Sequence, residues 1–176
     1  MTSPFAHAAE LATIASPFTS LVVGVLTVWV MYRQVRLARE MDKSTKEQTF
    51  RLKQADVLHS LNSRYEKLWD IRRRPQPDDD PQMFFMQYWS LQLDQFESWK
   101  VNLVPDSSYR VWMLQRQTDF ISDWKFHGIS FSQGWHDCTS KIVAPPDFRQ
   151  LVESMRSPGA NVDDELKKIR QSYSAA

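Results

Sequence analysis

Three adjacent residues of the types that serve in cysteine hydrolases, His136, Asp137 and Cys138, are the first candidates for chemistry in this sequence. Catalysis by such a set requires the histidine base to lie within hydrogen-bond reach of the thiol. Residues two positions apart on a helix face away from each other, so this spacing does not bring His136 to Cys138. The triplet alone therefore does not predict a catalytic site.

The rest of the sequence supplies no other catalytic or metal-binding pattern. The motifs G-x-S-x-G, P-loop, G-x-G-x-x-G and H-E-x-x-H are absent from it. The three other histidines are scattered: His7, His59 and His127. A single cysteine excludes an intramolecular disulfide and a cysteine-only zinc site. We therefore predict a non-enzymatic protein without a cofactor, and assign no catalytic, cofactor-binding or metal-binding residue.

Two oppositely charged triplets flank a proline-rich break in the chain, Arg72–Arg74 before it and Asp78–Asp80 after it. Three adjacent aspartates cannot all face one ion, and no calcium-loop pattern follows them. Asp80 directly precedes Pro81, an arrangement that begins many helices. We expect these residues to cap a helix and to form local salt bridges across the loop.

Tryptophan is frequent, with seven in 176 residues, and six of them follow the basic segment described below. Its large apolar side chain serves cores, interfaces and ligand pockets alike. Trp89 and Trp99 lie in a segment, 81–103, that is apolar on most sides of a helix, so we assign both to the core. Tryptophan also dominates binding hot spots. The candidates for a partner-binding face are Trp112, Trp124 and Trp135.

Residues 11–32 are 22 consecutive residues without a charge, in a chain whose mean hydropathy is only −0.49. About 20 apolar residues cross the roughly 30 Å hydrocarbon core of a bilayer. We predict a transmembrane helix with its core at 17–32, preceded by an extracytoplasmic tip at 1–16. A kink at Pro17 stays open. A buried core helix rarely adjoins so basic a segment, and a cleaved signal peptide has a positively charged start that this sequence lacks.

Residues 33–53 contain seven basic and three acidic residues, and no Lys or Arg precedes them. This asymmetry predicts a single-pass protein of the bacterial inner membrane with its N-terminus outside and its body in the cytoplasm. The predicted membrane-interface residues are Trp29, Tyr32, Arg33, Arg36 and Arg39. We expect the basic juxtamembrane stalk, 33–54, to contact anionic lipid headgroups and not nucleic acid, because acidic residues interrupt it.

The remainder predicts an all-α fold, since no alternating strand pattern occurs in it. We place a small Trp-rich cytosolic helical domain at 55–156 and a C-terminal tail with a short, frayed helix at 157–176. Helices are expected to begin at Pro81 and at Pro146, and a further helix is expected to be capped by Ser107 or Ser108.

The stalk pattern bears on self-association. Thr45 and Gln48 occupy positions where a strong coiled coil has Leu or Ile. A monomeric stalk is therefore favoured over a coiled coil, and a homo-oligomer held together by weak contacts stays open.

Several segments, taken in order, resemble those of a known protein family. They are VWVMYRQVRLARE, QADVLHSLNSRYEKLWDIR, MQYWSLQLDQFESWK, the helix around Trp112, GISFSQGW and PPDFRQLVESM. Over most of residues 20–156 the chain resembles a broad bacterial family of uncharacterised single-span membrane proteins with a cytosolic helical domain of unknown function. The resemblance implies the single-span topology and the all-α domain, and it implies no catalytic or ligand-binding residue.

These features favour a membrane-anchored interaction or accessory module that holds a helical domain at the cytosolic face for a protein partner or membrane complex. The alternative is a membrane-perturbing effector of stress or phage defence. Stable co-purification with one partner favours the first function, and growth arrest or depolarisation on induction favours the second.

Overall fold

The computed structural model describes the backbone of residues 4–157 and 159–174, and the side chains of the same residues except 4–25, 27 and 174. The chain divides into two compact units, residues 1–51 and 52–176. Most of the predicted span at 17–32, with the tip before it, lies outside the residues whose side chains are described. Over the described residues, no helix is both long and apolar enough to cross a bilayer.

The described residues form helices joined by short loops, which confirms the all-α class. In chain order the elements are α1 Pro4–Arg73, α2 Pro81–Lys100, α3 Asp106–Ser122, β1 Lys125–Phe126, β2 Ile129–Ser130, α4 Phe131–Thr139, α5 Pro146–Met155 and α6 Val162–Ser174.

Side chains cap the starts of α2 and α4. Asp80 accepts a hydrogen bond from the Gln82 amide at 2.8 Å, and Pro81 occupies the first helical position. Ser130 caps α4 by accepting from the Gln133 amide at 3.2 Å. The predicted starts at Pro81 and Pro146 are confirmed.

The predicted cap of α3 at Ser107 or Ser108 is wrong by two or three residues. The helix begins at Asp106, and Pro105 stands at the cap position without a side-chain hydrogen bond. Proline is compatible with this position because its fixed φ matches the extended backbone that precedes a helix. Asp106 in the first turn interacts favourably with the positive end of the helix.

A two-residue hairpin, which the sequence did not predict, connects α3 to α4. Lys125 pairs with Ser130, and Phe126 pairs with Ile129, in antiparallel register. The two turn residues, His127 and Gly128, both have positive φ, at 46° and 85°. Positive φ at both central positions is typical of the turn whose twist matches a hairpin. The strands are too short to show an alternating sequence pattern.

Helix α2 lies at the centre of the unit 52–176 and contacts α3 and α4. Trp89 and Trp99 are fully buried, which confirms their assignment to the core. Trp89 lies against Trp135 with ring centroids 4.5 Å apart, and Trp99 stacks on Tyr109 at 4.7 Å. The end of α1 contributes Leu61 and Leu68 to the same core.

The terminal helix α6 is packed against α3 and α5 and is part of this unit, although the sequence suggested a frayed tail. Val162 and Leu166 are buried. The Arg170 guanidinium lies 4.3 Å from the Trp99 ring centroid and donates to Asp106 Oδ1 at 2.8 Å. Two buried apolar residues, the partly buried Ile169 and one cation therefore hold a helix whose remaining residues are mostly polar.

The described side chains of the unit 1–51 are exposed throughout. Ion pairs run along the helix surface, Arg36 with Glu40 at 3.0 Å and Lys46 with Asp42 at 2.7 Å. Apolar side chains are exposed beside them. The large ones are Leu26, Val28, Trp29, Val30, Met31, Tyr32, Val35, Leu37, Met41 and Phe50.

Candidate functional site

A buried carboxylate, Asp119 on α3, gathers polar and aromatic side chains from three parts of the chain. Its Oδ1 accepts hydrogen bonds from Trp124 Nε1 at 3.0 Å and from Gln115 Nε2 at 3.4 Å. Its Oδ2 accepts from the Tyr88 hydroxyl at 3.3 Å. We call Asp119, Arg72, Tyr88 and Trp124 the Asp119 cluster.

Arg72, near the end of α1, supplies the positive charge of this cluster. Its guanidinium lies 3.6 Å from the Trp124 ring centroid and 4.6 Å from that of Trp69. One of its nitrogens is 3.8 Å from Asp119 Oδ1. A guanidinium held between two indole faces and a carboxylate is well suited to a partly desolvated position. The Asp119 cluster therefore joins the end of α1 to α2, to α3 and to Trp124 in the loop after α3.

Burial dominates the titration behaviour of the cluster. It raises the pKa of Asp119 above its ordinary value, against the opposing effects of the Trp124 hydrogen bond and of Arg72. Burial also raises the pKa of the Tyr88 hydroxyl, and to a smaller extent that of Tyr65. Both tyrosines therefore stay neutral at physiological pH, and the Tyr88 hydroxyl donates a hydrogen bond to Asp119.

A second cation, Arg116, lies one turn before Asp119 on α3 and is buried. Its Nη2 donates a short hydrogen bond to Gln95 Oε1 on α2. Its Nε and Nη1 have no hydrogen-bond partner among the described residues. Buried polar groups are nearly always paired, so a guanidinium with two unbonded donors distinguishes this place in the core.

Of the predicted partner-binding tryptophans, the structure brings two to this region. Trp124 belongs to the Asp119 cluster and is half-buried. Trp112 is half-buried on α3, and its ring centroid lies 6.4 Å from that of Tyr109, with the two rings nearly perpendicular. Trp135 does not lie on the surface: it is 2% exposed, and its Nε1 donates to Glu153 at 2.6 Å. Its position against Trp89 makes it a core residue, so its assignment to a partner-binding face is wrong.

The residues predicted to lie at the membrane interface are all exposed. The Arg33 guanidinium lies 5.4 Å from the Trp29 ring centroid, one helical turn away. Arg36 pairs with Glu40. Tyr32 and Arg39 are exposed on the same helix. The side chains are thus available to solvent or lipid.

The residues that first suggested catalysis are not arranged for it. Cys138 is buried, and burial raises the pKa of its thiol to about 11, so the reactive thiolate is scarce at neutral pH. His136 is exposed, and Asp137 accepts from Gln133 Nε2 at 2.6 Å.

The aspartate triplet acts locally. Asp80 caps α2, as predicted, and Asp79 accepts from the Gln76 amide at 2.7 Å. The predicted salt bridges to Arg72–Arg74 do not form over the described residues, because Arg72 turns toward Asp119 instead. Within those residues, no group of three or more His, Cys, Asp or Glu side chains is arranged to hold a metal ion.

Sequence reasoning missed Arg116 and Asp119 as site residues, because charged side chains are rarely buried. Tyr88 lies in the apolar segment 81–103 and was given no role in a site. The one available signal was spacing, since Arg116 and Asp119 follow Met113 by three and six residues on the buried face of α3. Comparison of the chain with models of protein families, with curated proteins and with solved structures gave no match.

Proposed function

We propose that this protein is a non-enzymatic, membrane-anchored interaction module. Residues 17–32 cross the bacterial inner membrane, the N-terminus lies outside, and the helical unit 52–176 is held at the cytosolic face. The unit binds a protein partner or a membrane complex there. The resemblance to single-span membrane proteins with a cytosolic helical domain agrees with this proposal.

The observation that carries the proposal is the charge-free run 11–32, followed directly by the seven basic residues of 33–53. The end of this run and the start of the stalk expose large apolar side chains, with Leu26 and Trp29 each 55% exposed. Exposed apolar patches of this extent mark membrane or protein contacts. A lipid environment would cover these side chains.

The basic stalk supports both the orientation and the lipid partner. Arginines close to the membrane exit feel the negative potential of anionic headgroups, which fades within about 8 Å at physiological salt. Arg33 and Arg36 therefore contribute most, and Arg51 and Lys53 lie about 22 Å or more farther along the helix, at 1.5 Å per residue.

The surface near the Asp119 cluster supports the interaction role. Trp112 and Trp124 are half-buried there, and Arg72 lies against the Trp124 ring. Tryptophan and arginine at the centre of a surface are the residue types enriched in binding hot spots. We therefore assign partner binding to Trp112 and Trp124.

A matched pair of double variants tests the anchor. Leu26→Arg with Val30→Arg places two charges inside the predicted span, and Leu37→Arg with Met41→Arg places the same charges, at the same spacing, beyond it. All four side chains are exposed, so neither pair disturbs a core. Arginine in a span costs about 2.5–3.5 kcal/mol at its centre.

The first pair should reduce the fraction of protein that resists alkaline extraction of membranes several-fold, and the second pair should leave it unchanged. Equal extraction of both variants and the parent would contradict the anchor. Growth arrest or membrane depolarisation on induction, without a stable partner, would instead support the membrane-perturbing effector.

A further inference from the structure

A cavity of about 190 Å³ lies beside the Asp119 cluster, lined by residues of α1, α2 and α3. Six residues line it: Tyr65, Tyr88, Val111, Trp112, Gln115 and Arg116. Val111 and Gln115 are exposed, so the cavity opens to solvent on the α3 side. Its other walls are mostly aromatic.

Arg116 gives this cavity a charged wall. The side chain is 3% exposed, and its Nε and Nη1 are buried without a hydrogen-bond partner among the described residues. Its remaining hydrogen bond goes to Gln95, a neutral amide. The fold therefore contains a buried cation with two N–H donors that make no hydrogen bond within the part of the chain that the structure describes.

The neighbouring carboxylate compensates for this charge only in part: Arg116 helps to lower the pKa of Asp119 but forms no ion pair with it. Asp119 forms its ion pair with Arg72, at 3.8 Å, and accepts three further hydrogen bonds from Trp124, Gln115 and Tyr88. No carboxylate lies within 4.0 Å of the Arg116 guanidinium over the described residues. A buried cation without an ion pair is unfavourable, so an anion that accepts hydrogen bonds from its unbonded donors would remove part of that penalty.

We propose that this cavity binds a small carboxylate with an aromatic body, with the carboxylate on Arg116 and the ring against Trp112. This binding site goes beyond the anchoring and interaction function and does not depend on it, although Trp112 belongs to both surfaces. The planar guanidinium suits a carboxylate, to which it donates in a fork. The aromatic walls would lie without contact beside a bare inorganic anion, whereas an aromatic ring packs on them.

The size of the cavity agrees with this class of ligand. At about 190 Å³ the cavity is smaller than the clefts of roughly 300–1,000 Å³ that take drug-sized ligands, which agrees with a ligand of a single ring.

Isothermal titration calorimetry on the full chain in a mild detergent tests the proposal with three probes. Benzoate is the carboxylate, benzamide is its neutral isostere, and inorganic phosphate is an anion without a ring. The variants are Arg116→Gln and Trp112→Ala. Arg110→Gln is the matched control, because Arg110 lies on the same helix but is exposed and paired with Asp163 at 2.6 Å.

Benzoate should bind saturably, and benzamide on the order of 10- to 100-fold more weakly, since a hydrogen bond to a charged group is worth that ratio. Arg116→Gln should weaken benzoate binding by about tenfold or more, and Arg110→Gln should leave it unchanged. Absence of saturable benzoate binding, benzoate affinity unchanged in Arg116→Gln, or binding of phosphate alone would each overturn the proposal.

If Arg116→Gln does not fold, Trp112→Ala decides the question, because Trp112 is only half-buried. Trp112→Ala should weaken benzoate binding several-fold, while its melting temperature should stay within a few degrees of that of the parent. An unchanged benzoate affinity in Trp112→Ala would also overturn the proposal.

Discussion

The side-chain hydrogen bonds and ion pairs described in residues 26–51 join residues four apart on one helix, as in Arg36 with Glu40 and Lys46 with Asp42. Those in residues 52–176 include many that connect different elements, such as Arg110 on α3 with Asp163 on α6. Pairs of the first kind are worth about 0.2–0.5 kcal/mol each. The two units are therefore stabilised by different means.

The comparison extends to the tryptophans. Trp29 is 55% exposed and contacts the guanidinium one turn away, whereas Trp89 is fully buried among aromatic rings. The same residue type thus serves a surface in one unit and a core in the other.

The largest expected effect comes from truncating one tryptophan in each unit. Trp89→Ala should lower the free energy of unfolding of the unit 52–176 by about 3–5 kcal/mol, because a large core side chain is lost and a cavity remains. Trp29→Ala should leave it unchanged. Thermal unfolding of the full chain in a mild detergent, followed by near-ultraviolet circular dichroism, measures both. Equal melting of Trp89→Ala and the parent would show that the core does not depend on this residue.

The next largest effect concerns close packing between α2 and α4. A Cβ added at Gly134 would lie 2.5 Å from the ring of Phe85, which is buried. Gly134→Ala should therefore destabilise the unit by about 1–3 kcal/mol through overpacking. The control is Gly159→Ala, where an added Cβ meets no atom within 4 Å. Denaturant unfolding of both variants measures the difference, and equal midpoints would contradict this packing.

The two carboxylates Asp119 and Asp106 should show opposite pH dependences. Burial raises the folded pKa of Asp119 above 3.8, so its ionisation penalises the fold progressively as pH rises from about 3.8 through that raised pKa. The hydrogen bond from Arg170 lowers the folded pKa of Asp106, so its contribution is present above 3.8 and is lost as pH falls through the lowered pKa.

Asp119→Asn should therefore gain stability relative to the parent as pH rises, and Asp106→Asn should lose it. Urea unfolding between pH 3 and pH 7 gives the slope of the unfolding free energy against pH for each variant and for the parent. The same sign for both variants would contradict the assigned environments. The Asp106 effect should be small, since exposed pairs contribute at most about 1 kcal/mol.

The smallest effect belongs to the local pairs of the first unit. Glu40→Gln removes the exposed pair with Arg36 and should change stability by less than about 0.5 kcal/mol. Helicity measured by far-ultraviolet circular dichroism should stay within error of the parent. A loss of helicity beyond this range would show that Glu40 has a partner other than Arg36.

Much of the fold could be predicted from the sequence, because its helix starts carry strong local signals. Asp80 with Pro81, and Pro145 with Pro146, define α2 and α5 without help from tertiary contacts. The hairpin could not be predicted, since its strands have two residues each and their pairing follows from the positive φ of His127 and Gly128. Trp135 was misassigned because a half-polar helix does not reveal which side faces Trp89.

The candidate site was less accessible to prediction than the fold. Trp112 and Trp124 were identified by residue type, but the burial of Arg116 and Asp119 depends on how α3 packs against α2 and the end of α1. Charged residues are rarely buried, so the sequence alone favours solvent for both. Only the folded arrangement reveals that two donors of Arg116 lack a partner.

Reporter fusions at the C-terminus, after Ala176, test the central claim most directly. A fluorescent protein that matures only in the cytoplasm should be active in a bacterial host, and an alkaline phosphatase that is active only in the periplasm should not. Arg33→Glu with Arg36→Glu should reduce the fluorescence, whereas Arg51→Glu with Lys53→Glu should not, because positive charge next to the span sets the orientation. Active phosphatase and inactive fluorescent protein on the parent chain would contradict the claim that the helical unit lies at the cytosolic face.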